Sequence, residues 1–351
     1  MEIEAEFICI SGSLRSGRHT KHTARAEGIL SSNFYYALQE GKTMLDEVFR
    51  NYEFTHPEAK FIRHNENMTY MVMDDQKTYL LRIHKEVEGL DLSQGCGNIP
   101  RQARIRSEIE LLNQLHMGGN IKTQCPVRNK SGEYITYLEN GIPVTVLSWL
   151  EGCDLQKTVI TNELVYRIGE AIGKLHNAMS KISCTNRYWY DEAFVDKLSN
   201  DINEAYELRH INELHCRQMQ DMLSCIRRIL VVEKQQFTFL HADLSKSNLI
   251  NSYGEICPID FSLSGYGLAE QDLSDINWTL HNEKLTPSLF SGYESVTKHT
   301  INHFFIRMFT ALYPISYIAS HHNKIYQDEK FIQTLSRWCD TILLPFIISQ
   351  Q

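Results

Sequence analysis

The spacing of apolar residues changes character along the chain. Between 31 and about 52, Leu38, Met44, Leu45, Val48 and Phe49 recur at helical spacing. Three short runs at 59–62, 69–73 and 78–83 then read as strands, with Asp74-Asp75-Gln76 as the turn between the last two. A helix is predicted over 101–117, with Ile105, Ile109, Leu112 and Leu115 as its stripe, and further strands over 133–138 and 143–147. Gly152 and the polar run at 154–158 interrupt the pattern and mark a boundary near 150–155. Beyond it the period is helical. Leu164, Ile168, Ile172 and Leu175 stripe a helix over 162–176, and one or two helices follow over 191–234. The last 80 residues are helical too, including 302–309 and 334–340. A β-rich first third and a helical remainder make an α+β chain.

One stretch of the helical part is different. The runs 249–251 and 256–259 are short strands around Ser252-Tyr253-Gly254-Glu255, a turn with Gly where φ > 0 is tolerated. In that register Asn251 opposes Ile256 and Asn248 faces Ile259. Opposed residues lie about 4.5–5.5 Å apart at Cβ, so Asn248 comes close to Asp260, with Asp243 a short loop upstream. An amide oxygen and a carboxylate beside a further carboxylate suit a hard cation such as Mg²⁺ carrying phosphates. Asp243, off the metal, can accept a hydroxyl proton.

The sequence His241-x-Asp243, then Asn248, then Asp260-Phe261 resembles the kinase-like phosphotransferases. In detail it is most similar to the aminoglycoside phosphotransferase and choline kinase branch, the phosphotransferase enzyme family, with its H-x-D-L-x-x-x-N and I-D-F. The resemblance implies a protein-kinase-like two-lobed fold. A β-rich, nucleotide-binding N-lobe would cover 44–151 and a mainly helical C-lobe with the catalytic loop and substrate site 152–351, leaving 1–43 as an extension without an assigned role. It implies ATP and Mg²⁺ as cofactors, Asp243 as the base, and Asn248 and Asp260 as metal ligands. Arg82, in the family's L-R-I-H strand, would hold phosphates and pair with Glu108 on the following helix. Asn67, in an E-N-x-T-Y version of the phosphate-covering turn, and the hinge at Ser148 and Leu150, whose backbone reads adenine, would complete the nucleotide site. His176 and His241 are expected to hold backbone or side chains in place, and Asp272 to bond loop backbone or cap a helix starting near 272.

The chain departs from the protein-kinase pattern in several places. It has no G-x-G-x-x-G, and Arg82 stands where protein kinases carry Lys, although a planar guanidinium fork is not equivalent to an ammonium. Ser262 replaces the Gly of D-F-G and no A-P-E closes an activation segment, which favours a small-molecule acceptor over a protein. Two readings on the same fold stay open: a serine/threonine protein kinase, and a non-catalytic binding module prompted by Arg82 and the missing Gly-rich loop. A third rests on residues 8–18. Gly12 and Gly17 have Walker spacing, but Arg18-His19 replaces Lys-Ser/Thr. The same stretch is similar to the S-G-S-L-R of flavodoxin-type flavin reductases, without the repeated βα units that fold needs. His19, His22, His321 and His322 lack partner ligands in sequence and read as solvated.

Composition narrows the classes further. Hydrophobic content of 42% and charged content of 22% are those of an ordinary globular protein. The net charge of −8 argues against nucleic-acid or anionic-membrane partners. No apolar run approaches about 18 residues, so no membrane span is expected, and the acidic opening is too short in its apolar part for a signal peptide. Nine cysteines without a C-x-x-C pair suit a reducing cytoplasm. Amino sugars, amino alcohols, homoserine-like amino acids and macrolides all remain acceptors. Asp191, Glu192, Glu270 and Asp272 hint at a cationic one.

Overall fold

The computed structural model describes residues 43–64, 67–85 and 99–349. The stretch at 8–18 with Gly12 and Gly17, His19, His22, the expected helical start at 31–42 and Asn65-Glu66 lie outside the described residues.

The first part is an antiparallel sheet held between two helices. Helix α1 (43–51) precedes β1 (Glu58–His64), β2 (Met68–Asp74) and β3 (Lys77–Ile83). Helix α2 (Arg101–Gly118), β4 (Ile135–Tyr137) and β5 (Pro143–Ser148) follow, and the strand order is β1-β2-β3-β5-β4. Strand alternation decides which face each residue serves. Tyr70, Val72, Leu81, Ile83, Val144 and Val146 form one core with Met44 and Val48 of α1 and Tyr52 just after it. Leu80 and Leu147 face the other way and join Ile109, Leu111, Leu112 and Leu115 of α2. Arg82 therefore leaves the sheet on the α2 side. That second core continues through Leu175, Met179, Phe239 and Phe261, so α2 belongs as much to the helical part as to the sheet.

After β6 (Cys153–Asp154) the chain is mainly helical. Helix α3 (Asn162–Met179) begins with the Thr161 hydroxyl accepting the Leu164 N–H at 3.2 Å. Strand β7 (Tyr188–Trp189) leads into α4 (Glu192–Glu207) and α5 (Glu213–Glu233). Next come β8 (Thr238–Leu240), β9 (Leu249–Ser252), β10 (Glu255–Pro258) and β11 (Gly265–Gly267). Helices α6 (Glu270–Leu280), α7 (Thr286–Val296), α8 (His303–Ile325), α9 (Glu329–Trp338) and α10 (Leu344–Ile348) close the fold, the last two joined by a π-helical turn. Two small sheets, β10-β9-β6 and β7-β11-β8, frame the loops between the helices. The second was not foreseen, because two- and three-residue strands carry no period.

Helices α3 and α7 cross at backbone contact. A Cβ on Gly169 would stand 2.0 Å from the Leu289 carbonyl oxygen, and one on Gly292 would stand 1.9 Å from that of Tyr166. Helices α4, α5, α8 and α9 share a separate apolar core. His322 is buried and shares a 2.8 Å Nδ1–Nδ1 contact with His210, correcting its reading as solvated. Among the described residues no helix is long and apolar enough to cross a membrane.

Candidate active site

The loop from His241 to Asn248 joins β8 to β9 and is fixed by one buried carboxylate. Asp272, in the first turn of α6 and fully buried, accepts the backbone N–H of His241 at 2.8 Å and that of Ala242 at 2.7 Å. It also accepts His176 Nε2 at 2.9 Å, and the far side of that ring meets the Tyr293 hydroxyl at 2.9 Å. Burial alone would raise the Asp272 pKa, but the hydrogen bond and charge of His176, with the His241 contacts, hold it below its ordinary value. The expected start of a helix near 272 is a full helical start at Glu270 instead, and Asp272 takes the backbone-bonding role. His241 is kept neutral by burial and donates Nε2–H to the Ile259 carbonyl at 3.0 Å.

The hairpin register is as the sequence predicts. Asn251 opposes Ile256, and the Ile259 N–H reaches the Asn248 carbonyl at 3.0 Å. The Asn248 amide donates both to the Asp243 carbonyl (2.9 Å) and to its carboxylate (2.8 Å). Its nitrogen is thereby committed, and its Oδ1 accepts no hydrogen bond among the described residues. Asp260 follows the hairpin at φ +65°, in the left-handed region. Two guanidinium groups approach its carboxylate, Arg82 at 3.8 Å and Arg63 at 3.6 Å. Arg82 is bound more tightly to Glu108, at 2.8 Å, and both of these side chains are buried. The expected Arg82–Glu108 pair is present. An amide oxygen without a donor and a carboxylate contacted only by cations are donors suited to a hard divalent ion.

Sequence reasoning missed two residues here. Arg187, just before β7, is buried, and its guanidinium donates to the carbonyls of Phe261 (2.5 Å), Ser262 (3.3 Å) and Ser264 (2.8 Å) and to the Ser264 hydroxyl. Burial lowers its pKa, and the Glu108 charge works against that. Together with the Tyr190 hydroxyl on the Leu263 carbonyl (2.5 Å), it clamps the segment after Asp260. Arg63 is the other, and no motif marks either one.

At the hinge, the Ser148 N–H bonds the Cys125 carbonyl and the Trp149 N–H the Thr78 carbonyl, so the strand edge stays aligned to Leu150. The Leu150 backbone groups have no partner among the described residues, and the Ser148 carbonyl receives one long contact from Gln124 at 3.4 Å. An adenine edge needs such groups. Asn67 lies at the start of β2, half-buried, its carbonyl accepting the Thr69 hydroxyl at 3.4 Å.

The acidic residues that hinted at a cationic acceptor are already engaged. Asp191 and Glu192 pair with Lys234, and Glu270 accepts His299 and the Asn302 N–H. Asp275, which the sequence did not single out, is different. One turn beyond Asp272 on α6, it makes no hydrogen bond or ion pair among the described residues. Burial and the charges of Asp272 and Asp243 push its pKa well above the ordinary value.

Residues 58–295, more than half of the chain, match the profile of the phosphotransferase enzyme family. The chain belongs to that family. It is therefore a kinase with an alcohol group as acceptor class. An amicoumacin kinase of Bacillus subtilis (strain 168) is 23% identical over 270 residues, 74% of each chain. Among solved structures, an amicoumacin kinase in complex with AMP-PNP and Ca²⁺ superposes with a TM-score of 0.69 at 17% identity, covering 87% of this chain and 93% of that one. A microcompartment-associated aminopropanol kinase gives 0.67 at 16% identity, covering 85% and 94%. The GDP complex of aminoglycoside 2'-phosphotransferase-IIIa gives 0.60 at 15%, covering 88% and 98%. These likenesses fix the two-lobed kinase-like α+β fold.

Proposed function

We propose that the protein transfers the γ-phosphoryl group of ATP, with Mg²⁺, to a hydroxyl of a small cationic molecule such as an amino alcohol or amino sugar. The observation that carries this reading is the Asn248 amide. Its nitrogen is spent on Asp243, which leaves its oxygen without a hydrogen bond among the described residues, on the loop whose hairpin leads to Asp260. Asn248 and Asp260 would hold the metal, which supplies charge neutralisation for the transferring group. Asp243, kept in place by Asn248 and by the Asp272-bonded backbone before it, orients the acceptor hydroxyl and takes its proton. Arg82, held by Glu108, positions phosphates from the sheet side, with Asn67 at the turn above them. The Ser148 carbonyl and Leu150 N–H address the adenine edge, at a lobe boundary near 150–155.

A small acceptor is supported by the short path from Asp260 to α6. Residues 261–269 are all that separate them, too few for the activation segment of a protein kinase. A cationic acceptor is supported by Asp275, whose unpartnered carboxyl beside Asp243 gains most from a nearby ammonium. The names of the aminopropanol and aminoglycoside relatives point the same way. A reducing cytoplasm suits the seven described cysteines, all free thiols.

Calorimetric titration of ATP into the protein with and without Mg²⁺, repeated on Asp260→Asn, tests the site. Tight binding should require Mg²⁺ and should weaken at least tenfold in the variant. Binding indifferent to both metal and substitution would overturn the assignment.

A further inference from the structure

Strand β1 is irregular at one point, and the irregularity aims a cation at the site. Phe61 pairs with Tyr70, but Arg63, not Ile62, pairs with Thr69, so Ile62 is an extra residue on the β1 side. In a regular ladder Ile62 would oppose Thr69, and Arg63 would share the face of Phe61. A bulge re-aims the side chain that follows it. Here Phe61 keeps its ring contact with Tyr70 on one face, at 5.4 Å between centroids, while Arg63 joins the row Arg63–Thr69–Arg82 across three strands. Opposed residues of antiparallel strands project from the same face. Both arginines of that row accordingly reach one carboxylate, Asp260.

The two contacts differ in kind. Arg82 is buried and committed to Glu108 at 2.8 Å, whereas Arg63 is about half exposed and only 3.6 Å from Asp260, a loose charge contact without hydrogen-bond geometry. Before nucleotide arrives the four charges of Arg63, Arg82, Glu108 and Asp260 balance. A metal ion that takes Asp260 removes the partner of Arg63. A triphosphate brings more negative charge than one divalent ion neutralises, and the guanidinium fork fits phosphate oxygens bidentately. Resting on the site assignment above, we infer that Arg63 is a phosphate-contacting residue of this kinase. It rests on Asp260 and donates N–H bonds to the terminal phosphoryl oxygens of bound nucleotide. No proton or covalent bond changes hands at Arg63.

The test is binding, not turnover. A non-hydrolysable ATP analogue and ADP are each titrated calorimetrically, with Mg²⁺, into the full chain and into Arg63→Ala and Arg63→Lys. A half-exposed residue near the end of a strand tolerates these changes, and circular dichroism melts check it. Arg63→Ala should lose about 10- to 100-fold in affinity for the triphosphate, the range of a charge-assisted hydrogen bond. It should lose less than about threefold for ADP, and Arg63→Lys should fall between. Equal losses for both nucleotides, or none, would overturn the inference while leaving the site assignment standing. Failure of the unmodified protein to bind either nucleotide with Mg²⁺ would overturn both.

Discussion

Asp272→Asn isolates the contribution of the anchor beneath the His241–Asn248 loop. One carboxylate oxygen accepts the Ala242 N–H at 2.7 Å, and the other accepts both the His241 N–H at 2.8 Å and His176 Nε2 at 2.9 Å. An amide offers one acceptor oxygen and one donor nitrogen. If the nitrogen faces His176, a tautomer change lets the ring accept, but the His241 N–H is orphaned. If it faces the other way, the Ala242 N–H is orphaned. Each choice strands one buried backbone donor, costing about 1–3 kcal/mol, and removes the charge assistance of the others, for a total of about 2–4 kcal/mol. At about 2–4 °C per kcal/mol, the melting temperature should fall by about 4–16 °C. Turnover should drop about 100-fold if Asp243 moves by about 1 Å. The pH dependence gives a second reading. The Asp272 pKa is depressed by folding, so its stabilisation is complete above the unfolded value of about 3.9 and is lost as pH falls through the folded value. The gap between the two proteins, measured by chemical denaturation, should therefore close on acidification below about pH 4. A variant that melts with the parent at pH 7, or a gap independent of pH, would refute the reasoning.

Two further outcomes can be checked. Gly169→Ala should destabilise by about 1–3 kcal/mol or more in urea, because its Cβ meets the Leu289 carbonyl oxygen at 2.0 Å and α7 must move away; an unchanged midpoint would mean the helices do not cross so closely. Asp275→Asn should raise KM for a cationic acceptor about tenfold or more while leaving ATP binding unchanged, and an unaltered KM would remove Asp275 from the acceptor site.

The parts legible in the sequence are those where a period or a turn speaks. The strands of the first sheet, helices α2 and α3, and the pairing of Asn251 with Ile256 follow from alternation, stripe and the Tyr253-Gly254 turn. The pairing of Arg82 with Glu108 was reachable because the resemblance named both positions. The backbone-bonding role of Asp272 was expected from the resemblance, but not which N–H groups, 30 and 31 positions away, it accepts. What stayed hidden depends on distant partners: Arg187 lies 74 to 77 from the oxygens it donates to. The bulge at Ile62 shifts Arg63 by one place without a Gly or Pro to announce it. The acidic hint failed for a related reason. Residue type marked Asp191, Glu192 and Glu270 as candidates, but only the fold shows that Lys234 and His299 occupy them and that Asp275 is left over.

The two buried anchors, Asp272 and Arg187, also explain how the site holds a strained backbone. Ala242, next to Asp243, has φ +61°, and Asp260 has φ +65°. Neither is glycine, and such a conformation costs an L-residue about 1–2 kcal/mol. The compensation is of opposite sign at the two places. Before Asp243 a buried anion, Asp272, collects N–H groups; after Asp260 a buried cation, Arg187, collects carbonyls. A peptide group whose donor or acceptor is tied to a buried charge cannot rotate without stranding that charge. Asp243 and Asp260 are thus both held from their backbones. On the proposed function, that leaves their side chains, and the loosely held Arg63, as the parts that exchange partners when nucleotide and metal bind.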